Sequence, residues 1–358
     1  MEKGREASFF LGANTPDGFY SLYDGFTSVQ DGDFLWVIKG GPGCGKSSFM
    51  RRIGAAVQRA GLDVEYIYCS GDPKSLDGIY IPAHRTAYVD GTAPHVMDPA
   101  YPGAGGMYLD LGRFYDREAL QPQLSKLLEC TDLYKAQYRR AYNILAAAGG
   151  VAPHAIPGLT EQQDVLAALR RASGTIAREI KKQPGGHGPV IKRFLSAFTC
   201  EGPIFLDKTI TALCQRVYTL DNGCGLANDY LQAVADAAQQ RGHAVILCPN
   251  AMFPERLEAV LLPSLSLGFL ALDSQRDWNG PVTRHIRLDA IPDAQRLRAL
   301  RPRLRSSSKI YGQLLHEAQT ALASAKALHD DLEKLYNPYV DFDGIYHEAD
   351  LHIARLLS

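Results

Sequence analysis

A lysine and a hydroxyl residue close a glycine run in "GGPGCGKSS", residues 40–48, and this is the stretch best suited to handling phosphate. Gly40, Gly45, Lys46 and Ser47 satisfy G-x-x-x-x-G-K-[ST]. Gly40, Gly43 and Gly45 let successive backbone N–H groups converge on a phosphate. Lys46 has the reach for the β- and γ-phosphates, and the Ser47 hydroxyl is a ligand suited to Mg²⁺. The nucleotide-binding set expected here is Gly40, Gly41, Pro42, Gly43, Cys44, Gly45, Lys46, Ser47 and Ser48. Cys44 reads as small filler; its place at a helix start leaves an acidic thiol as the alternative.

A second group belongs opposite that loop. "TAYVDGTAPH" (86–95) reads as a strand ending in Asp90, the acidic strand end that would share Mg²⁺ with Ser47. Asp90 should face the crevice of Lys46, because ligands of α/β sheets lie beyond the carboxyl ends of strands. No glutamate follows Asp90, so slow hydrolysis or another base is implied. His95, Asp72 and Asp77 are the candidates, and the catalytic set expected is Lys46, Asp90 and His95. "YPGAGGMYLDLGRFYDRE" (101–118) offers Arg113 and Arg117 on a glycine-bearing loop, as a lid or as an ordinary exposed connection.

The elements that hold these groups follow from pattern. "FLWVIK" (34–39) is an apolar, β-branched run, and after the loop Phe49, Met50, Ile53, Val57 and Ala60 recur on one helical face before Gly61. "VEYIYC" (64–69), "IYIP" and "TAYVD" continue the strands. Alternating strands and helices imply an α/β fold with a mainly parallel sheet, and mostly helical segments close each half near 118–147 and 306–335. Between the halves an amphipathic helix carries Val165, Leu169, Ile176 and Ile180, with Thr160 and Gln163 as its capping box.

The second half repeats the first. "FLGANTPDGFYSL" (10–22) lies over "FLSAFTCEGPIFL" (194–206), a shift of 184. A shift of 180 places Val37, Gly43, Cys44 and Gly45 over Val217, Gly223, Cys224 and Gly225, and so Lys46 over Leu226 and Ser47 over Ala227. Further blocks match at 181, and at 177 for Tyr134, Ala141 and Leu145 over Tyr311, Ala318 and Leu322. Asp273 aligns with Asp90 if two residues are inserted. The expectation is a tandem duplication: a P-loop domain over 1–185 with an intact Walker A loop, and a degenerate pseudo-domain over 190–358, parted in "QPGGHGP" (183–189).

Bulk properties narrow the function classes. The 358 residues are 46% apolar and 22% charged with a net charge of −1, so a general pull toward nucleic acid or anionic lipid is not expected. No apolar run reaches membrane-spanning length, the start has no secretory h-region, and seven cysteines lack a C-x-x-C pair. A cytoplasmic protein with reduced thiols is expected. "HDDLE" (329–333) and "HEADLH" (347–352) read as solvated helix faces rather than metal sites, and "RLRALRPRLRSSSK" (296–309) as a basic surface or a donor of arginine to the neighbouring half.

"GGPGCGKSS", "YCSGDPKSLDGIYIP", "DGTAPHVMDPAYPG" and "ALHDDLEKLYNPYVDF", together with the paired halves, resemble a bacterial family of tandem P-loop ATPase-like proteins over nearly the whole chain. The resemblance implies nucleotide binding at 40–47. A lysine in the second loop is common in that family, and Leu226 with Ala227 departs from it. The resulting expectation is an ATP- and Mg²⁺-binding protein that hydrolyses ATP slowly at one site, its second half meeting a protein partner or regulating the first. A small-molecule or nucleoside kinase-type phosphotransferase and a non-catalytic nucleotide-sensing scaffold are the alternatives. ATP over GTP is the default, because no N-K-x-D motif is present.

Overall fold

A computed structural model describes residues 3–94, 96–273 and 278–358. The first half opens with β1 (Glu6–Phe10) and a hairpin of β2 (Gly12–Thr15) and β3 (Gly18–Ser21). Then come β4 (Phe34–Lys39), α1 (Lys46–Arg59), β5 (Val64–Tyr68), β6 (Leu76–Ile81), β7 (Thr86–Asp90) and β8 (Gly106–Asp110). Three helices follow: α2 (Arg117–Leu120), the long α3 (Leu124–Gly150) and α4 (Gln162–Glu179). The second half runs β9 (Val190–Lys192), β10 (Ser196–Thr199), β11 (Gly202–Phe205), α5 (Asp207–Leu213), β12 (Arg216–Asp221), α6 (Ala227–Gln240), β13 (Val245–Pro249), β14 (Leu257–Leu262), β15 (Leu267–Leu272) and β16 (Arg284–Ile286). It ends in the 43-residue α7 (Ala294–Tyr336) and α8 (Phe342–Leu357).

The duplication is a property of the fold. The first sheet is ordered β1-β5-β6-β7-β4-β8 and the second, read from its other edge, β9-β13-β14-β15-β12-β16. Strand for strand the two agree, and in each only one inner strand, β6 or β14, runs antiparallel to its neighbours. Both sheets are thus mainly parallel and flanked by helices. The hairpins agree down to single bonds: Thr15 Oγ1 donates to the Gly18 carbonyl (2.8 Å) and Thr199 Oγ1 to that of Gly202 (2.9 Å).

The two units meet as copies related by a twofold axis do, with equivalent segments facing one another near that axis. Phe10 and Phe194 exchange backbone hydrogen bonds at 2.9 and 3.0 Å. Around them Phe9, Phe10, Leu11, Phe194 and Leu195 share one buried core. The long helices α3 and α7 pack antiparallel, with Ala141 and Leu145 against Ala318 and Leu322. These are residues that sequence alignment superposes, Ala141 on Ala318 and Leu145 on Leu322, and all four are buried.

After that crossing each half sends its next helix to the other unit. α4 lays Ala168, Ala172 and Ile176 against Tyr230, Leu231 and Val234 of α6, while α8 lays Ile345, Ala349 and Leu356 against Phe49, Met50 and Ile53 of α1. Three local expectations are corrected. The capping box of α4 is Glu161 with Asp164, not Thr160 with Gln163, since the helix begins at Gln162. The last long helix begins at Ala294 rather than near 306, taking in the basic stretch and Pro302. Residues 101–118, expected as an ordinary exposed connection or a lid, hold an edge strand, β8. No helix among the described residues is long and apolar enough to cross a membrane.

Candidate functional site

Strand β4 delivers the glycine run to the start of α1, as the pattern requires. Gly43 and Gly45 take left-handed conformations at φ +69° and +76°, which a side chain would strain, and Gly45 caps the helix whose first residue is Lys46. The Lys46 ammonium donates to the carbonyls of Gly40 and Gly41, both at 2.9 Å, and lies 3.5 Å from the Asp90 carboxylate. Asp90 is held by the N–H and hydroxyl of Thr92 at 2.9 and 2.6 Å. Ser47 Oγ accepts from the Leu76 N–H at 2.9 Å. A lysine folded onto its own loop is released when a phosphate offers a stronger partner, since charge-assisted bonds outweigh neutral ones.

These groups floor a cavity of about 1030 Å³. Its walls are the 69–77 turn with Asp72 and the segment after Asp90; its roof is the α3–α7 pair. From α3 the roof presents Tyr134, Lys135, Tyr138 and Arg139, from α7 Lys326, His329 and Glu333, and just past its end Asn337. Lys326 is paired with Asp72 at 3.2 Å and with Asp330, whereas Lys135 and Arg139 have no acidic partner at ion-pair distance among the described residues. The cavity thus carries two cations, Lys135 and Arg139, in its α3 wall, together with the carboxylates of Asp72, Asp77, Asp90 and Glu333.

Glu333 is the carboxylate that sequence reasoning missed. It stands one turn from His329, 3.8 Å away, and a Cβ on Gly43 would lie 3.2 Å from its Cα. It comes from a helix nearly 290 residues downstream, so no local pattern could place it beside the loop. Among the expected bases, Asp77 is buried with the Tyr23 hydroxyl donating to it at 2.8 Å, and Asp72 caps its own turn through the Ser75 hydroxyl and Lys74 N–H. His95 lies outside the described residues. Burial pushes the Cys44 thiol up despite Lys46 beside it, so it is filler and not an acidic thiol.

Other expected features lie elsewhere. None of residues 101–118 lines the cavity, and Arg113 is bound to Glu348 at 2.6 Å. Arg296 is clamped by Glu161 at 2.6 Å and by Asp164, and nothing in 296–309 reaches the first-half site. His329, Asp330 and Glu333 lie close enough to share an ion, but Asp330 is already paired with Lys326. His352 is buried, with Nδ1 3.0 Å from the Tyr88 hydroxyl, and is a core histidine.

The second loop departs further from the first than substitution alone. Sheet register sets Ile38 opposite Asp90 and Leu220 opposite Ala271, so Val37 corresponds to Thr219 rather than Val217, and Ala271 rather than Asp273 stands in the place of Asp90. Five residues, 40–44, separate Lys39 from the left-handed Gly45; three, 222–224, separate Asp221 from the left-handed Gly225. Leu226 follows that glycine as Lys46 follows its own, but it is buried in the α6 core. The role of Ser47 toward the neighbouring strand passes to Asn228, whose Oδ1 accepts from the Leu257 N–H at 2.9 Å.

Comparison of the chain with protein-family models, with curated proteins and with solved structures finds no match.

Proposed function

We propose that the first half binds a nucleoside triphosphate, ATP by default, and hydrolyses it slowly, with the second half serving as scaffold or regulator. The observation that carries this reading is the Lys46 ammonium 3.5 Å from Asp90 on the floor of a cavity that the glycine loop lines. A hydroxyl and a carboxylate, Ser47 and Asp90, are hard oxygen donors suited to Mg²⁺, which would supply charge neutralisation at the phosphates. Lys46 and the loop N–H groups stabilise the charge that builds on the transferred phosphoryl group. Glu333, near the loop and steadied by His329, takes the proton of the attacking water as the oxygen–phosphorus bond forms and the β–γ bridge breaks. ADP and phosphate leave.

Cavity size and the unpaired Lys135 and Arg139 favour a second reading, transfer to an anionic acceptor. At about 1030 Å³ the space stands at the top of the roughly 300–1,000 Å³ that ligand pockets occupy. Titration and turnover separate the readings. The hydrolytic one expects a single nucleotide equivalent per chain and ADP release without acceptor, both abolished in Lys46→Ala. Turnover only with an added acceptor would replace it by the transferase, and binding without turnover by a sensing scaffold.

A further inference from the structure

The shortened second loop already holds an anion. The N–H groups of Gly223 and Cys224 donate to the two carboxylate oxygens of Asp289 at 3.0 and 2.9 Å. Two consecutive amides grip one carboxylate as a phosphate loop grips two oxygens of a phosphate, and the α6 N-terminus behind them adds a favourable dipole. On the other side Arg256 donates to the Gly225 carbonyl at 2.8 Å, bracing the loop around its occupant.

Register identifies what Asp289 replaces. Met107 pairs with Trp36 in β4, and Arg284 pairs with Tyr218, the corresponding residue of β12. Counting on from there, Leu111 corresponds to Leu288, both fully buried, and Gly112 to Asp289, each within a short 3-10 turn. In the intact half the place of the gripped carboxylate thus belongs to a residue with no side chain. A Cβ at Gly112 would lie 2.9 Å from the Asp110 carboxylate and 4.0 Å from the Gly40 Cα, so a longer acidic chain there would start beside the loop.

We propose that Asp289 is the resident anion of the second loop: a tethered carboxylate stands where a phosphate would, so this half is permanently filled, while Gly112 keeps the first loop open. The occupant is part of the chain, which gives it a high local concentration that free phosphate does not match. Asp289 also lies just ahead of α7, whose far end carries Glu333 and Asn337 to the first loop, so filling the second loop anchors the helix that roofs the first. The site left by removing Asp289 would take a small oxyanion, not a nucleotide, because lysine and the second left-handed glycine are gone.

The test uses the full chain with the first site disabled. Lys46→Ala and Lys46→Ala/Asp289→Ala are compared in thermal melts with and without millimolar pyrophosphate. The single variant is expected to ignore the anion; the double variant should melt at least about 2 °C lower and recover when pyrophosphate is added. A double variant that folds, melts like the single one and ignores pyrophosphate overturns the proposal. Should it not fold, Lys46→Ala/Asp289→Asn, which keeps one acceptor oxygen, takes its place: an unchanged melting temperature there overturns the proposal equally. Neither arm needs the first half to bind nucleotide, so a failure of the ATP reading would show in the wild-type titration and not here.

Discussion

Lysine 46 is poised rather than engaged: its donors are spent on two carbonyls of its own loop and on Asp90, all of which a triphosphate would displace. In the proposed reaction Glu333 is the base. Replacing it by Gln keeps the shape and removes the base, so single-turnover hydrolysis should fall about 100-fold or more while nucleotide affinity, by titration, stays put. A matching loss of affinity would assign Glu333 to binding instead. A second test at this scale concerns His352. Burial lowers its pKa below the ordinary 6.5, against the opposing pull of Glu348, so its folded form stays neutral at pH values where the unfolded chain takes up a proton. Unfolding then binds protons in the window below about 6.5, and stability must fall as pH drops through it. His154, also lowered by burial, adds in the same direction. Melting temperature should therefore decline from pH 7 toward pH 5, and less steeply in His352→Gln.

Among the elements, α7 and α8 frame the proposed nucleotide site. α7 ends against the glycine loop, where the Asn337 amide lies 2.9 Å from the Gly43 carbonyl, and the chain then turns to cover α1. Ile345 is fully buried, and its side chain would lie 3.8 Å from a Cβ on Gly45. Ile345→Ala should cost about 2–5 kcal/mol in denaturant melts and weaken nucleotide binding as well, since the floor of the loop loses its backing. Retained affinity at reduced stability would show the loop to be rigid without α8. Much of this was legible in advance: the glycine run, the helix face of Phe49, Met50 and Ile53, and the strand ending in Asp90 all lie where pattern puts them. The capping box shifted by one residue, since Glu161 and Asp164 serve the same geometry as Thr160 and Gln163, and only the helix start chooses between them.

On the scale of the molecule, the exchange of α4 and α8 makes each unit depend on the other half of the chain. A fragment of residues 1–185 would leave the α1 face uncovered by α8 and the apolar face of α4 without α6. It should therefore bind hydrophobic dye and give poorly dispersed NMR spectra, while the full chain gives neither sign. A well-folded 1–185 that binds nucleotide would show the exchange to be dispensable. In the proposed arrangement the second loop, gripping Asp289 just ahead of α7, keeps a structural task that needs no lysine.

Local chemistry was the province of the sequence: a phosphate loop needs glycines, lysine and hydroxyl in one unbroken run, and a repeat leaves matching side chains in order. Tertiary structure alone brings distant groups to the cavity that this loop lines. Glu333, Lys135 and Arg139 reach the cavity, and Asp289 reaches the second loop, through helix crossings and strand register. Such contacts depend on how apolar faces pack in three dimensions, and neighbouring residues along the chain carry no trace of them.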